Sequence, residues 1–468
     1  MGEREFDVVV IGAGPPGEVC AGRLGDGGLD VAIVEDHLVG GECSYFACMP
    51  SKALLRPAEL LAEVKRVPGA AEAVTGELDA EAALARRDEV IHDLDDSSQL
   101  PWLEDRGVEL IRGRGRLDGE RRVRVGEDTL VARRAVVLAT GSTPAMPPID
   151  GLADADPWGN HEATTAKRVP DSLVVLGGGA VGVELAQAWR TLGSEVALVE
   201  AAERVLPPEE PFAGEQVAAG LRELGVEVRT GAKASAVRAE AGAVAVELEG
   251  GEELAGEELL VAVGRKPSTD DLGLDTVNVE PGERGFLEVD DQLRVRIQSR
   301  DVQAHRAVSD WLYAIGDVNG RALLTHMGKY QARLAGDHVL GKEVAATADH
   351  VQVPRVVFTE PQVAAVGRTL EAANDAGVKA RAVDVDTSGT AGASFTGRNA
   401  PGTSRLVVDE DRRVLVGATF VGPETADFVH AATIAVVGEV PLERMWHAVP
   451  SFPTRSEVWL RLMEEYGL

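Results

Sequence analysis

Short apolar runs alternate with amphipathic stretches along most of the chain. Phe6–Ile11 is rich in β-branched residues and reads as a strand buried on both faces. It ends in Gly12-Ala13-Gly14-Pro15-Pro16-Gly17, and a helical pattern follows through Leu24. Val31–Val34 is a second such strand and ends at Glu35. The same order returns later: Ser172–Leu176, then Gly177-Gly178-Gly179-Ala180-Val181-Gly182, a helix, Glu195–Val199 and Glu200. In both copies 18 residues separate the last glycine from the acid. Residues 53–100 read mainly as helix. Arg122–Val125 alternates like a half-buried strand, and Ala135–Ala139 reads as a buried one, closed by Thr140-Gly141-Ser142. Pro144, Pro147 and Pro148 mark a linker. Glu258–Arg265 closes the second copy. From about 350 onward, strands at Arg405–Val408 and Val414–Ala418 mix with helices near 424–437 and 456–465.

Strand, GxGxxG, helix, strand, acid is a dinucleotide-binding pattern, and two copies imply two dinucleotides. The first glycine makes the tight turn. The second lets backbone approach a pyrophosphate, and the third lets helix and strand pack closely. Glu35 and Glu200 are placed to accept hydrogen bonds from a ribose diol. Glu200 would also repel a 2′-phosphate, and the residues after it, Ala201-Ala202-Glu203-Arg204, offer one cation only. NADH is therefore expected over NADPH at the second copy.

Composition narrows the partners. The 468 residues carry 47 Lys+Arg against 77 Asp+Glu, a net charge of −30. A field of that sign disfavours nucleic acid and anionic membrane surfaces. No run reaches the roughly 18–20 apolar residues of a membrane span. Met1-Gly2-Glu3-Arg4-Glu5 lacks the basic start of a secretory signal, so a cytoplasmic protein is expected. The tail after about 350 has no glycine phosphate loop, and a subunit interface is its natural role.

Only three cysteines are present, yet Cys43 and Cys48 lie five positions apart in Gly40-Gly41-Glu42-Cys43-Ser44-Tyr45-Phe46-Ala47-Cys48-Met49-Pro50-Ser51-Lys52. No CxxC or His cluster completes a metal site, so no metal is expected. Two readings stay open on the residues alone: ordinary buried thiols, or a redox pair. Five residues of regular helix rise about 7.5 Å, beyond the ~4.4–6.8 Å Cα separation of a disulfide. A bridge would need a distorted turn, which the glycines before Cys43 allow.

These landmarks resemble the pyridine nucleotide-disulfide oxidoreductase family over essentially the whole chain. The resemblance rests on the first GxGxxG with Glu35, the Cys43-x4-Cys48-Met-Pro-Ser-Lys52 segment, and Ala139-Thr140-Gly141. It rests equally on the second GxGxxG with Glu184 and Glu200, Gly264-Arg265-Lys266-Pro267, Tyr313-Ala314-Ile315-Gly316-Asp317 and Phe358-Thr359-Glu360-Pro361. It implies an α/β fold: two Rossmann-like dinucleotide-binding domains plus a C-terminal α+β dimerisation domain. The implied domains are 1–150 and 269–345 for FAD, 151–268 for NAD(P), and 346–468 for homodimerisation. FAD would lie on Gly12, Gly14, Gly17, Glu35, Gly41, Ala139, Thr140, Gly141, Gly316 and Asp317, with Asp317 on the ribityl chain. NADH would lie on Gly177, Gly179, Gly182, Glu200, Gly264 and Arg265. Cys48 would face the flavin and Cys43 the acceptor disulfide. Lys52 would stand near the flavin, paired with Glu184.

One position departs from the family pattern. Its His-Pro-Thr-x-Ser-Glu segment supplies a general acid/base histidine, oriented by the glutamate, to the partner subunit's cysteines. Here it reads Phe452-Pro453-Thr454-Arg455-Ser456-Glu457, and phenylalanine carries no exchangeable proton. General acid–base assistance is worth roughly 10²–10⁴ in rate. His447 lies five residues earlier, too far to assume the role, and reads as a polar residue near a helix end. Residues 296–309, with His305, read as an inserted surface loop. Cys20 reads as a small buried residue. The expected activity is hydride transfer from NADH through FAD to a Cys43–Cys48 disulfide, and on to a small-molecule disulfide or other two-electron acceptor. The alternatives are a flavin-centred quinone or dye reductase, a transhydrogenase-like enzyme, and a non-catalytic FAD-binding redox sensor.

Overall fold

The computed structural model describes residues 2–240, 242–298 and 306–468. In chain order, the strands that frame the site are β1 (Glu3–Ile11), β2 (Val31–Glu35), β3 (Val108–Arg112), β4 (Asp128–Leu138), β5 (Ser172–Leu176), β6 (Glu195–Val199), β7 (Glu227–Arg229), β8 (Glu258–Val261), β9 (Arg294–Gln298) and β10 (Arg306–Ala314). The helices used below are α1 (Pro15–Asp26), α2 (Gly41–Tyr45), α3 (Cys48–Arg66), α4 (Ala180–Leu192) and α5 (Thr325–Val339). The chain divides into two compact units. The first holds Met1–Met49, Asp88–Thr143 and Arg265–His350. The second holds Pro50–Arg87, Pro144–Gly264 and Val351–Leu468.

The first unit is built on a sheet in the order β9-β10-β4-β1-β2-β3. β1 runs parallel to both neighbours, with Val9 opposite Ala32 on one side and Val136 on the other. Val8, Val9 and Val10 are fully buried, as an unbroken apolar run in a covered parallel sheet requires. The stretch 296–309 corrects the sequence reading of a surface loop. Its described ends are the paired arms of an antiparallel ladder, with Arg296 opposite Val308 and Ile297 opposite Ala307. The physical cause is a period-two pattern: Val295 is buried while Arg294 and Arg296 point outward. His305 lies outside the described residues.

The second unit repeats the plan in a parallel sheet ordered β7-β6-β5-β8. It adds a three-stranded antiparallel sheet over 234–256 and a five-stranded antiparallel sheet over 354–422. The tail thus mixes strands with helices at Val429–Val437 and Val458–Tyr466. Trp189 of α4 is wholly buried and anchors the core of this unit.

The third glycine of each turn is a steric requirement. A Cβ at Gly17 would stand 1.9 Å from the Gly12 carbonyl oxygen, and one at Gly182 the same 1.9 Å from that of Gly177. Around Gly179 nothing lies within 4 Å. Gly182→Ala should therefore lower stability by about 1–3 kcal/mol, while Gly179→Ala stays within about 0.5 kcal/mol of the parent. Thermal unfolding of the two variants checks this; equal losses would contradict it.

Candidate functional site

Both dinucleotide turns are held by the same device. Glu35 Oε2 accepts a hydrogen bond from Ala13 N–H (2.6 Å), and its Oε1 accepts one from His37 N–H (2.8 Å). Glu200 Oε2 accepts from Gly178 N–H (2.6 Å), and its Oε1 accepts from Ala202 N–H (2.7 Å). Each acid therefore ties the end of the second strand to the residue after the first glycine. Burial pushes the Glu35 carboxyl up, against the opposing pull of these backbone bonds. Gly12 and Gly177 have φ of +100° and +106°, where a side chain is strained. A Cβ there would also meet the carbonyls of Ala139 (2.4 Å) and Ala262 (2.5 Å). Gly14 and Gly179 face open space with nothing within 4 Å. The protein's own packing does not require glycine there, whereas the close approach of a pyrophosphate does. The cradle in each unit thus fits a dinucleotide.

The first unit adds a polar cluster beside its turn. Asp317 follows Gly316, whose φ is +74°. Burial raises the Asp317 carboxyl above its ordinary range, and the Ser142 hydroxyl, donating to Oδ2 at 2.6 Å, opposes that rise. Ser142 Oγ in turn accepts from Arg265 Nε at 2.6 Å. Arg265 also donates to the Ser142 carbonyl (2.6 Å) and to Glu42 (3.0 Å). Thr140 Oγ1 donates to the Ser268 carbonyl at 2.9 Å, and Gly141 O accepts from Ser268 N–H at 3.0 Å. Gly41 lies against Gly14: a Cβ on it would stand 2.8 Å from the Gly14 Cα. In the second unit Gly264 O accepts from Ala145 N–H at 2.9 Å.

The cysteines stand at a break between two helices. α2 ends at Tyr45, Phe46 leaves helical geometry at φ −131°, and α3 starts at Cys48. Gly40 and Gly41, at φ +108° and +53°, set the entry to α2. The interruption removes the rise that a continuous helix would put between the two residues. Both stand as thiols, half-buried. The Cys43 thiol is pushed up, first by its hydrogen bond with Cys48 and then by burial; Thr325 and Lys329 act the other way. Thr325 Oγ1 lies 3.5 Å from Cys48 Sγ. Pro50 sits in the first turn of α3, where no backbone N–H is needed.

Lys52 follows Cys48 by four residues in α3. Within the second unit its ammonium donates to Glu184 Oε2 at 2.7 Å and lies 4.8 Å from the centre of the Phe358 ring. Glu184 is buried, and its Oε1 accepts from Phe358 N–H at 2.9 Å. Glu457 Oε2 accepts from Gly392 N–H at 2.8 Å. Phe452 is 76% exposed, and Val449, Trp446 and Phe395 are exposed as well. His447 comes just after the short helix Leu442–Met445. Cys20 is fully buried in α1, and burial pushes its thiol up to about 12.

The first unit therefore gathers Gly12, Gly14, Gly17, Glu35, Gly41, Cys43, Cys48, Ala139, Thr140, Gly141, Arg265, Gly316 and Asp317, and the second holds the remaining candidates. Four partners escaped the sequence reading: Thr325, Ser142, Glu42 and Phe358. Ser142 directly follows Ala139-Thr140-Gly141, a usable signal. Thr325 lies 277 residues from Cys48 and carried none. Among the described residues no His/Cys/Asp/Glu group could hold a metal, and no helix is long and apolar enough to cross a membrane.

Comparison with known proteins agrees with this geometry. The family profile for pyridine nucleotide-disulphide oxidoreductases matches residues 6–332, and the profile for that family's dimerisation domain matches residues 353–463. A dihydrolipoyl dehydrogenase of Thermus scotoductus is 34% identical over 461 residues, covering 97% of this chain and 96% of the relative. A mercuric reductase of Lysinibacillus sphaericus is 29% identical, covering 98% and 82%. The HOCl-induced flavoprotein disulfide reductase RclA from Escherichia coli superposes with a TM-score of 0.84 at 25% identity, covering 98% of this chain and 99% of that one. The chain belongs to the pyridine nucleotide-disulphide oxidoreductase family, an FAD- and NAD(P)H-using class.

Exposure separates the thiols. In the reduced native protein iodoacetamide should label Cys43 at least tenfold faster than Cys20, which should react only after denaturation. Peptide mass spectrometry checks this, and native labelling of Cys20 at a comparable rate would contradict it.

Proposed function

We propose that this enzyme moves two electrons from NADH to a disulfide or other thiol-reactive acceptor through the Cys43–Cys48 pair. The observation that carries the reading is the helix break that brings the two thiols together beside Thr325, in the unit that also holds the Gly12–Glu35 cradle. Cys43, the thiol farther from α3, attacks the acceptor disulfide. One sulfur leaves, and a mixed disulfide remains on Cys43. Cys48 then attacks Cys43, frees the second sulfur and closes the Cys43–Cys48 bond. FAD and NAD(P)H, when bound, supply the two electrons that reopen that bond.

The remaining residues bind and orient. Gly12, Gly14, Gly17, Glu35, Gly41, Ala139, Thr140, Gly141, Gly316 and Asp317 would hold FAD. Gly177, Gly179, Gly182, Glu200, Gly264 and Arg265 would hold NADH, although Arg265 spends its described bonds on Ser142 and Glu42 of the first unit. Lys52 is oriented by Glu184 and offers a fixed positive charge. The functional division would be 1–150 and 269–345 for FAD, 151–268 for NADH and 346–468 for a homodimer interface. The exposed apolar surface around Phe452 and Val449 supports that last assignment. A reduced working pair fits the cytoplasm.

The second reading, a flavin-centred quinone or dye reductase, is favoured by Phe452 alone. A stopped-flow acceptor screen of the NADH-reduced enzyme separates the two. Disulfide turnover in the parent, lowered at least 100-fold in a Cys43→Ser/Cys48→Ser variant, is expected. Unimpaired quinone turnover in that variant, with no disulfide turnover in the parent, would establish the second reading.

Coenzyme choice is tested at Glu200. Glu200→Gln with Ala201→Arg should raise the NADPH/NADH ratio of kcat/KM at least tenfold. The same change gives up one of the carboxylate's two bonds to backbone N–H groups, at about 1 kcal/mol of stability. An unchanged ratio would overturn the NADH assignment.

A further inference from the structure

After β10 the chain makes one short helical turn, Gly316–Asn319, which carries Asp317. A closed ring of polar contacts within the first unit holds that turn. Gln331 of α5 is wholly buried, and both ends of its amide are used. Its Oε1 accepts from Gly316 N–H at 2.8 Å and from Asn319 Nδ2 at 2.9 Å, so the first and last residues of the turn meet at one oxygen. Its Nε2 donates to Asp349 Oδ2 at 2.8 Å. Asp349 is wholly buried too and forms an ion pair with Arg321 at 3.3 Å. Arg321 closes the ring, its backbone N–H donating to Asn319 Oδ1 at 3.1 Å. The Asp317 carboxyl is not part of the ring and bonds Ser142 instead.

The backbone leaves the turn little room. Gly316 has φ +74°, and a Cβ on it would stand 3.0 Å from Pro16. A Cβ on Gly328, three residues before Gln331, would stand 2.6 Å from Pro16 and 3.3 Å from the Gly316 Cα. α5 therefore lies directly on the turn and on the start of α1. Its first residue, Thr325, is the one that reaches Cys48.

We propose that Gln331 is a positioning residue for FAD: its amide, set by Asp349, fixes the Gly316–Asn319 turn and so aims Asp317 at the cofactor. This rests on the assignment of Asp317 to FAD above. The chemistry of the place demands an amide. Gly316 N–H can only donate and the ion-paired Asp349 carboxylate can only accept, so the side chain between them must offer an oxygen to one and an N–H to the other. A glutamate would keep the acceptor and set a second carboxylate against Asp349. Apolar side chains of similar volume would fill the core as well as this ion pair and its amides do. What a fully satisfied buried network adds is a single defined geometry, here that of the turn carrying Asp317.

The test exchanges donor and acceptor. Holoenzymes of the parent, Gln331→Glu and Gln331→Glu/Asp349→Asn are held in potassium bromide buffer at pH 8. Released FAD is measured by timed ultrafiltration, and bound flavin by its visible circular dichroism. Gln331→Glu should release FAD at least tenfold faster than the parent, with an altered dichroism. In the double variant the new acid accepts from Gly316, Asn319 and the amide placed at 349, so the polarity is reversed and the geometry kept. Its release rate should return to within threefold of the parent, with the parent's dichroism. A double variant that releases FAD tenfold faster than the parent overturns the proposal, whether or not the single variant folds. So does a single variant that unfolds at lower temperature yet keeps the parent's release rate and dichroism, the result of a purely structural role. Asp317→Asn separates the two levels of the reading. Release at the parent's rate there would overturn the assignment of Asp317 itself, whereas faster release there with none in Gln331→Glu would overturn the positioning role alone.

Discussion

The interruption of helix at Phe46–Ala47 is the feature on which the chemistry depends. Two cysteines five apart on a continuous helix would point away from each other and stand too far apart to bridge. Ending α2 at Tyr45 and restarting at Cys48 turns that spacing into a contact. The break is held from both sides. Gly40 and Gly41 take left-handed geometry to start α2, and Gly41 lies too close to Gly14 for any side chain. The thiol pair is thus positioned by the same first turn of α1 that follows the phosphate-type glycine turn.

The second organising device is repetition. Each glycine turn is locked by an acid at the end of the neighbouring strand, through one bond to the turn and one to the residue two positions beyond the acid. The acids are the groups placed to meet a ribose. Here they also serve as struts within the protein, and a substitution made to change coenzyme choice disturbs the turn as well. The units differ in what surrounds the shared device. The first adds the half-buried Asp317–Ser142–Arg265–Glu42 cluster, and the second adds the Lys52–Glu184 pair.

Much of this was legible in the amino-acid order, for stereochemical reasons. Gly17 and Gly182 admit no Cβ, so they must read as glycine wherever this fold is made. The apolar runs at Val8–Val10 and Leu173–Leu176 read as buried strands because both faces are covered. The start of the ladder at Arg296 was hidden by composition: Arg296 is exposed on the edge strand β9, and charge there reads as loop. Thr325 and the Lys52–Phe358 contact were hidden for another reason. Their importance comes from being brought next to distant residues, and local pattern holds no record of that. Phe452 was legible only as a departure, and its exposed setting at the chain's dimerisation region gives that departure a place.

The central claim, that Cys43 and Cys48 form the working redox pair, is tested most directly by counting thiols against electrons. The oxidised holoenzyme, titrated anaerobically with NADH and quenched with iodoacetamide, should show Cys43 and Cys48 joined in one peptide disulfide before NADH. Both should become labelled together as reducing equivalents beyond those held by the flavin are added. Two cysteines that are labelled equally before and after NADH, in an enzyme that still oxidises NADH, would contradict the account.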